Sequence, residues 1–275
     1  MKKYLLLIIT LLFCVSLEAQ EISWTQHPID GHRTGVTQKG AGLTVESMGK
    51  VKRFVKRYTS PNGNKYRRGT TRKVARIMIN AQDSMAFVKQ IIGHSPVVMA
   101  KDKPECALTD WYIDVIMLKT AELTGKHVDV AFANFGGVRT DMPDGDIFRD
   151  DIMSMFPFRN TLYYFSLTGN NLLEICRNMA QFHAEIFGGL KLVIKDNTLV
   201  SATINGEPID PNKIYGAATI DYLMEGNSWF RFGKYQIEGI NTNKNVMDVM
   251  LQYVEEQTKL GNEITYKKDG RITIL

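Results

Sequence analysis

An α/β fold of the α+β type, with helices packed on the faces of a mixed sheet, is predicted by three features of this 275-residue sequence. Apolar runs of β character alternate with stretches whose apolar residues recur every three or four positions. The run Val128-Asp129-Val130-Ala131-Phe132-Ala133 reads as a buried strand and opens directly into a glycine pair, Gly136-Gly137. Later, strand candidates are joined by turns as short as Asp196-Asn197 and Asn205-Gly206, which leave no room for a helical crossover and imply antiparallel neighbours. With 44% hydrophobic and 23% charged residues, the chain can bury a full core, and a disordered class is excluded.

Residues 1–20 have the pattern of a secretory signal peptide. Lys2-Lys3 precede an apolar run from Tyr4 to Phe13, and the segment closes at Ala19-Gln20. That run is shorter than the ~20 residues a spanning helix needs, so an exported, periplasmic protein with no membrane anchor is expected. Residues 21–92 read as a basic N-terminal extension, a hairpin plus a helix, with the break before the main domain (93–275) near Ile92-Gly93. Eleven of the 34 Lys and Arg residues lie between Lys50 and Arg76, where no Asp or Glu occurs; the other 23 face 29 acidic residues, a net of −6. The turn signal Thr59-Ser60-Pro61-Asn62-Gly63-Asn64 makes a solvated hairpin the plain reading of this cluster. An acidic protein face, an anionic membrane surface or nucleic acid would also suit it, with nucleic acid not favoured.

The remaining elements follow from spacing. Val74, Ile77, Met78, Ala81, Met85 and Val88 predict an amphipathic helix over 72–92. Thr109 is placed to cap a helix running from Trp111 through Leu123, which Gly125 ends. A short helix over 150–155, a strand over 161–167 and a helix over 169–183 come next. Strands are expected at 190–194, 199–204, 214–219, 235–240 and 271–275, with a helix over 245–260. Cys106 and Cys176, the thiols remaining beyond the leader, lie in apolar surroundings and read as two packed free thiols, a disulfide being the alternative.

The chemistry concentrates in Asn134-Phe135-Gly136-Gly137-Val138-Arg139, followed by Met155-Phe156-Pro157-Phe158. Glycines without a Cβ can take φ > 0 and bring backbone amides close to a ligand. Arg139 offers a planar donor fork and Phe158 a ring on which a base can stack. These motifs, with Leu167-Thr168-Gly169 and Gly188-Gly189, resemble the C-terminal domain of the 5′-nucleotidases from about Ile92 onward. The resemblance implies that Phe158 and Tyr222 sandwich a base, that Asn134 and Arg139 hold ribose or phosphate, and that Gly136 and Gly137 shape the turn between them. Ser228 stands where the family's glycine-rich loop carries an aspartate that accepts from the ribose. Glu105 matches the family's upstream Glu, but Lys101 and Lys103 stand near the place of its arginine. Readings of Tyr222 as core, and of Arg139 as a structural cation paired with Asp141 or Asp144, remain open.

The family's catalytic metals belong to a separate metallophosphoesterase domain, which needs more than the ~70 residues between the leader and Ile92. Asp30-Gly31-His32 mimics that domain's opening motif, but no further His-rich element follows, so it reads as a turn. No Gly-x-Ser-x-Gly elbow, Walker motif or Cys–His pairing is present. No catalytic residue, metal or cofactor is therefore expected in this chain. The expected function is nucleotide binding within a 5′-nucleotidase-type phosphohydrolase, with divalent metals carried by a separately encoded metallophosphoesterase that the basic extension could dock. The alternative is a non-catalytic exported interaction protein with a decayed pocket.

Overall fold

Strand β12 (Ile214–Ile220) pairs in parallel with β5 (Val130–Ala133) and antiparallel with β7 (Thr161–Thr168). These three form the middle of a five-stranded mixed sheet, ordered β13-β7-β12-β5-β8, with β13 (Gly239–Asn245) and β8 (Ile186–Gly188) at its edges. The computed structural model describes residues 48–52, 54, 56–226 and 231–275. The expected leader (1–20), Asp30-Gly31-His32 and Ser228 lie outside these described residues.

A second sheet, ordered β11-β10-β9-β14, carries the antiparallel pairs joined by the two short turns. Its strands are β9 (Lys191–Lys195), β10 (Thr198–Ile204), β11 (Glu207–Pro208) and β14 (Ile272–Ile274), the last running parallel to β9. Asp196, Asn197, Asn205 and Gly206 all have positive φ, as two-residue hairpin turns require. Asn205-Gly206 leads into β11, a two-residue strand too short to register as a periodic run. β12 then leaves for the other sheet, so the third expected antiparallel neighbour pairs elsewhere. The N-terminal unit is an antiparallel sheet of β1 (Lys50–Lys52), β2 (Arg57–Thr59) and β3 (Lys65–Tyr66), followed by helix α1 (Thr70–Ala81).

The helix expected over 72–92 stops at Ala81, and Ile91–Ser95 forms strand β4, paired antiparallel with β6 (Gly145–Phe148). Tertiary pairing overrides helical spacing here. The Val88 and Gln90 carbonyls accept from the Asp150 and Arg149 amides, N–H groups in the open first turn of helix α3 (Arg149–Met155). The break placed at Ile92-Gly93 thus falls within a strand bonded to the main body.

Helix α2 (Ala107–Thr124) starts earlier than Thr109 suggested. Cys106 is its N-cap, and the Thr109 hydroxyl accepts from the Cys106 amide at 3.2 Å. Gly125 closes it in the left-handed conformation, as expected. Thr168 caps α4 (Gly169–Gln181) by accepting from Asn171 N at 3.2 Å. A Cβ on Gly169 would stand 1.9 Å from the Asp210 carbonyl oxygen, so this strand-to-helix step requires glycine. The strand expected at 235–240 is shifted to Gly239–Asn245, because Phe232–Tyr235 forms a 3₁₀ turn that buries Phe232 against Phe132 and Phe165. Asn245 caps α6 (Val246–Lys259). Cys106 and Cys176 are both buried and free, and burial pushes the Cys176 thiol up to about 12.

The C-terminal strand is locked in place by a buried charged network. Glu105 accepts from the amides of Gly270 (2.7 Å) and Ile272 (3.2 Å). Arg271, 5% exposed, grips both Asp114 oxygens at 2.8 and 2.6 Å and lies 3.7 Å from Asp110 and 3.0 Å from Asp269. Tyr266 donates to Asp114 as well. Burial, more than Glu105 and Asp269 nearby, lifts the Asp110 carboxyl to about 7, against the opposing pull of Arg271.

Removing a partner from such a buried cluster strands unpaired charge. Arg271→Ala is expected to lose about 3–5 kcal/mol in urea unfolding at neutral pH. Asp110 adds a pH dependence. Because its folded pKa lies above its unfolded value, the folded chain holds the proton more tightly; that contribution is complete below pH ~4 and is lost as pH rises toward 7. Asp110→Asn should flatten the stability profile across this window in urea titrations, with the largest gain relative to wild type at and above pH 7.

Candidate functional site

The sheet register gathers the candidate residues at one end. Ala131 pairs with Ala218 in the parallel β5–β12 ladder, and Ile220 of β12 pairs with Leu162 of β7. The exit of β5, the exit of β12 and the entry of β7 therefore lie side by side. Asn134 follows the first, Tyr222 the second, and Phe158 precedes the third. Open α/β sheets also place ligands beyond strand carboxyl ends, where their loops converge.

Leaving β5, the chain turns through a 3₁₀ segment, Phe135–Gly137. Neither Gly136 nor Gly137 has positive φ, contrary to the expectation of a left-handed turn. What these positions share is close contact with the Asn134 side chain. A Cβ on Gly136 would lie 3.2 Å from Asn134 Nδ2, and one on Gly137 would lie 3.3 Å from Asn134 Oδ1. The Asn134 amide is thus folded over its own turn.

The expected cradle of free amides is also reduced. The Gly137 and Val138 amides donate within the turn, Arg139 N donates to Met155 O (2.9 Å), and Phe135 N donates to Glu185 Oε2 at 2.7 Å. Glu185 precedes β8, and sequence reasoning missed it because nothing local marks a glutamate that acts fifty residues away. Asn134 Oδ1, by contrast, is buried and has no donor among the described residues. Such an orphan costs about 1–3 kcal/mol until a donor arrives.

Arg139 is exposed and stays with the turn. Its Nη1 donates to Gly136 O at 3.2 Å, and its guanidinium carbon lies 5.8 Å from the centre of the Phe158 ring. Among the described residues no carboxylate lies within ion-pair reach of it. Asp141 is engaged elsewhere, accepting from Lys101 N at 2.8 Å.

Phe156 and Phe158 diverge around Pro157. Phe156 stacks on Tyr112 in the core at 4.7 Å, while Phe158 is 45% exposed. Tyr222 opens the short helix α5 (Asp221–Met224) and is half-buried against the core, so the reading of it as part packing element holds alongside its place at this end of the sheet. Asp221 ties that helix to β7 by accepting from Thr161 Oγ1 at 2.7 Å.

The two lysines standing near the family's arginine also reach this turn. Lys101 Nζ donates to Val138 O at 2.8 Å, and Lys103 Nζ sits 5.0 Å from the centre of the Phe135 ring. Glu105 does not join them, being committed to the C-terminal strand. Glu105, Asp110 and Asp269 offer ligand atoms within 4.8 Å of one another, but the Arg271 guanidinium already supplies positive charge there. A separate cleft of about 590 Å³, bordered by Asp114, Lys191, Asn205, Asp269 and Arg271, shares no residue with the Asn134 end of the sheet.

Comparison with known proteins converges on one family. The model for "5′-nucleotidase, C-terminal domain" matches residues 86–234, more than half of the chain. The protein UshA of Escherichia coli is 25% identical over 162 residues, covering 57% of this chain and 29% of its own length. An apyrase of Tabanus yao is 26% identical over 215 residues, covering 68% of this chain and 38% of its own. Among solved structures, a 5′-nucleotidase precursor from Thermus thermophilus superposes with a TM-score of 0.64 at 21% identity, over 74% of this chain and 43% of that one. This chain therefore spans roughly a third of the length of these two curated relatives. The glycine turn at the exit of β5 and the ring before β7 both lie inside the matched region, and the match over more than half of the chain shows that it belongs to the 5′-nucleotidase C-terminal domain family.

Proposed function

We propose that this chain is the nucleotide-binding component of a 5′-nucleotidase-type phosphohydrolase, acting outside the cytoplasm with a separately encoded metallophosphoesterase. The observation that carries the reading is the contact between the exposed Phe158 ring and the Arg139 guanidinium, on a turn that also holds the unsatisfied Asn134 Oδ1. A ring beside a fixed cation suits a base attached to a sugar phosphate. A ribose hydroxyl is the kind of donor that the orphaned oxygen lacks.

In this reading Phe158 and Tyr222 hold the base from two sides, Arg139 bonds ribose or phosphate oxygens, and Asn134 orients the sugar. Gly136 and Gly137 keep the turn thin enough for Asn134 to fold over it, and Ser228 contributes a neutral hydroxyl. Lys101 and Lys103 add positive potential beside the turn without a bidentate fork. The partner's divalent metals would polarise the phosphate ester and supply the attacking hydroxide. This chain's share is to bind and position.

A second reading has one observation in its favour. Four of the turn's backbone amides already have partners, which leaves fewer donors for an anion than an open glycine loop provides. In that case the protein is a non-catalytic exported binding protein that keeps the fold with a weakened pocket.

Calorimetric titration of AMP and adenosine separates the two. Wild type is expected to bind both, and Phe158→Ala should weaken both by about 5- to 150-fold, the range of one lost base stack. Arg139→Ala should weaken AMP more than adenosine, since its charge-assisted bond is partly to phosphate. No heat with either ligand, or identical affinities across the three proteins, would support the second reading. For the split enzyme, phosphate release from AMP by a purified metallophosphoesterase lacking this domain should rise when the chain is added, and Phe158→Ala should abolish that rise.

A further inference from the structure

Among the described residues, nothing covers an apolar stripe of helix α1. None of its residues is fully buried, and it packs by one side on β1 and β2. Ala75 and Ile79 are half-buried, whereas Val74, Ile77 and Met78 are 47%, 56% and 48% exposed. With Ala81 these last three fall at i, i+3, i+4 and i+7, one continuous stripe. Lys73, exposed, lies beside it one turn before Ile77, whereas Arg76, also exposed, projects from the far side of the helix. The adjoining hairpin exposes Lys65, Arg67 and Arg68 along one arm and, at the β1–β2 connection, a fully exposed Phe54.

The whole stretch from Lys50 to Arg76 holds eleven cations and no anion. An occupant must therefore be anionic and must also accept apolar groups. Nucleic acid meets only the first demand, because its phosphates would leave the stripe in water. A protein groove would have to fit the stripe and find a separate place for Phe54. An anionic bilayer meets both demands without shaped pockets, since its mobile headgroups take cations at any spacing and its interface takes apolar side chains to shallow depth.

We propose that the basic unit from Lys50 to Ala81 seats the protein on an anionic phospholipid surface, with Val74, Ile77 and Met78 entering the interface and Lys73 and the hairpin cations facing the headgroups. The seating is peripheral; among the described residues no helix is long and apolar enough to cross a membrane. The proposal is independent of the nucleotide reading, because none of these residues lies at the Asn134 end of the sheet.

The test is co-sedimentation of the purified full-length chain with vesicles of phosphatidylcholine alone or mixed with phosphatidylglycerol. Binding is expected only to the mixed vesicles, and added salt should weaken it. Lys73→Gln should weaken it by about fivefold, the loss of one cation near the surface. Ile77→Asp should weaken it by roughly tenfold. All variants share residues 1–47, so differences among them report this unit alone. Their positions are outside the core, and an unchanged thermal midpoint confirms folding. Equal binding to both vesicle types, or variants that bind as wild type does, would overturn the proposal. So would capture of duplex DNA or of an acidic protein by a chain that leaves the mixed vesicles in solution.

Discussion

The pairing of β12 with β5 on one side and β7 on the other is the constraint on which the candidate site depends. These strands come from distant parts of the chain and run in mixed directions, yet their register sets two exits and one entry at the same edge. Asn134, Tyr222 and Phe158 meet there only because that register holds. A slip of one residue in β12 would exchange the side chains packed on its two covered faces and shift Tyr222 relative to the glycine turn. The buried run Tyr215 to Ile220 opposes such a slip, since both faces of the strand are covered.

The same logic governs the far end of the chain. β14 runs parallel to β9 with some eighty residues between them, so no local turn can set its register. Glu105 and the Arg271 network do so instead, with two backbone amides and four carboxylates converging beside the start of α2. Glu105 resembles the family pattern in sequence, but its work in this fold is structural. The neighbouring lysines, which lack an arginine's fork, are the groups that reach the glycine turn.

Local signals were legible wherever one short segment carries its own physics. Gly125 at a helix end, the Leu167-Thr168-Gly169 strand-to-helix step and the two hairpin turns all act within a few residues of themselves. The motif residues Asn134, Arg139 and Phe158 were readable for the same reason, lying in compact clusters with distinctive chemistry. Reading failed where a distant partner decided the outcome. The helix expected over 72–92 ends at Ala81 because Ile91–Ser95 pairs with Gly145–Phe148, and Phe232 pulls the following strand downstream by filling the core beside Phe132 and Phe165. The glycine pair follows β5 as the spacing predicts, but it lacks the left-handed φ expected of it, because no sequence shows Asn134 folding back over the turn.

By itself the amino-acid order determined the alternation of helices and strands, the turn chemistry, the separation of a basic unit from an acidic body, and the aromatic, guanidinium and amide groups available to a ligand. Each of these follows from covalent geometry or from charge and polarity within a short window. Tertiary structure alone decided that Asp141 serves Lys101 rather than Arg139, that Glu185 holds the turn, that Asn134 Oδ1 is left without a donor, and that the apolar stripe of α1 faces solvent. These outcomes depend on which non-local strands pair and in what register, and that choice is settled by burial summed over the whole core rather than by any one segment.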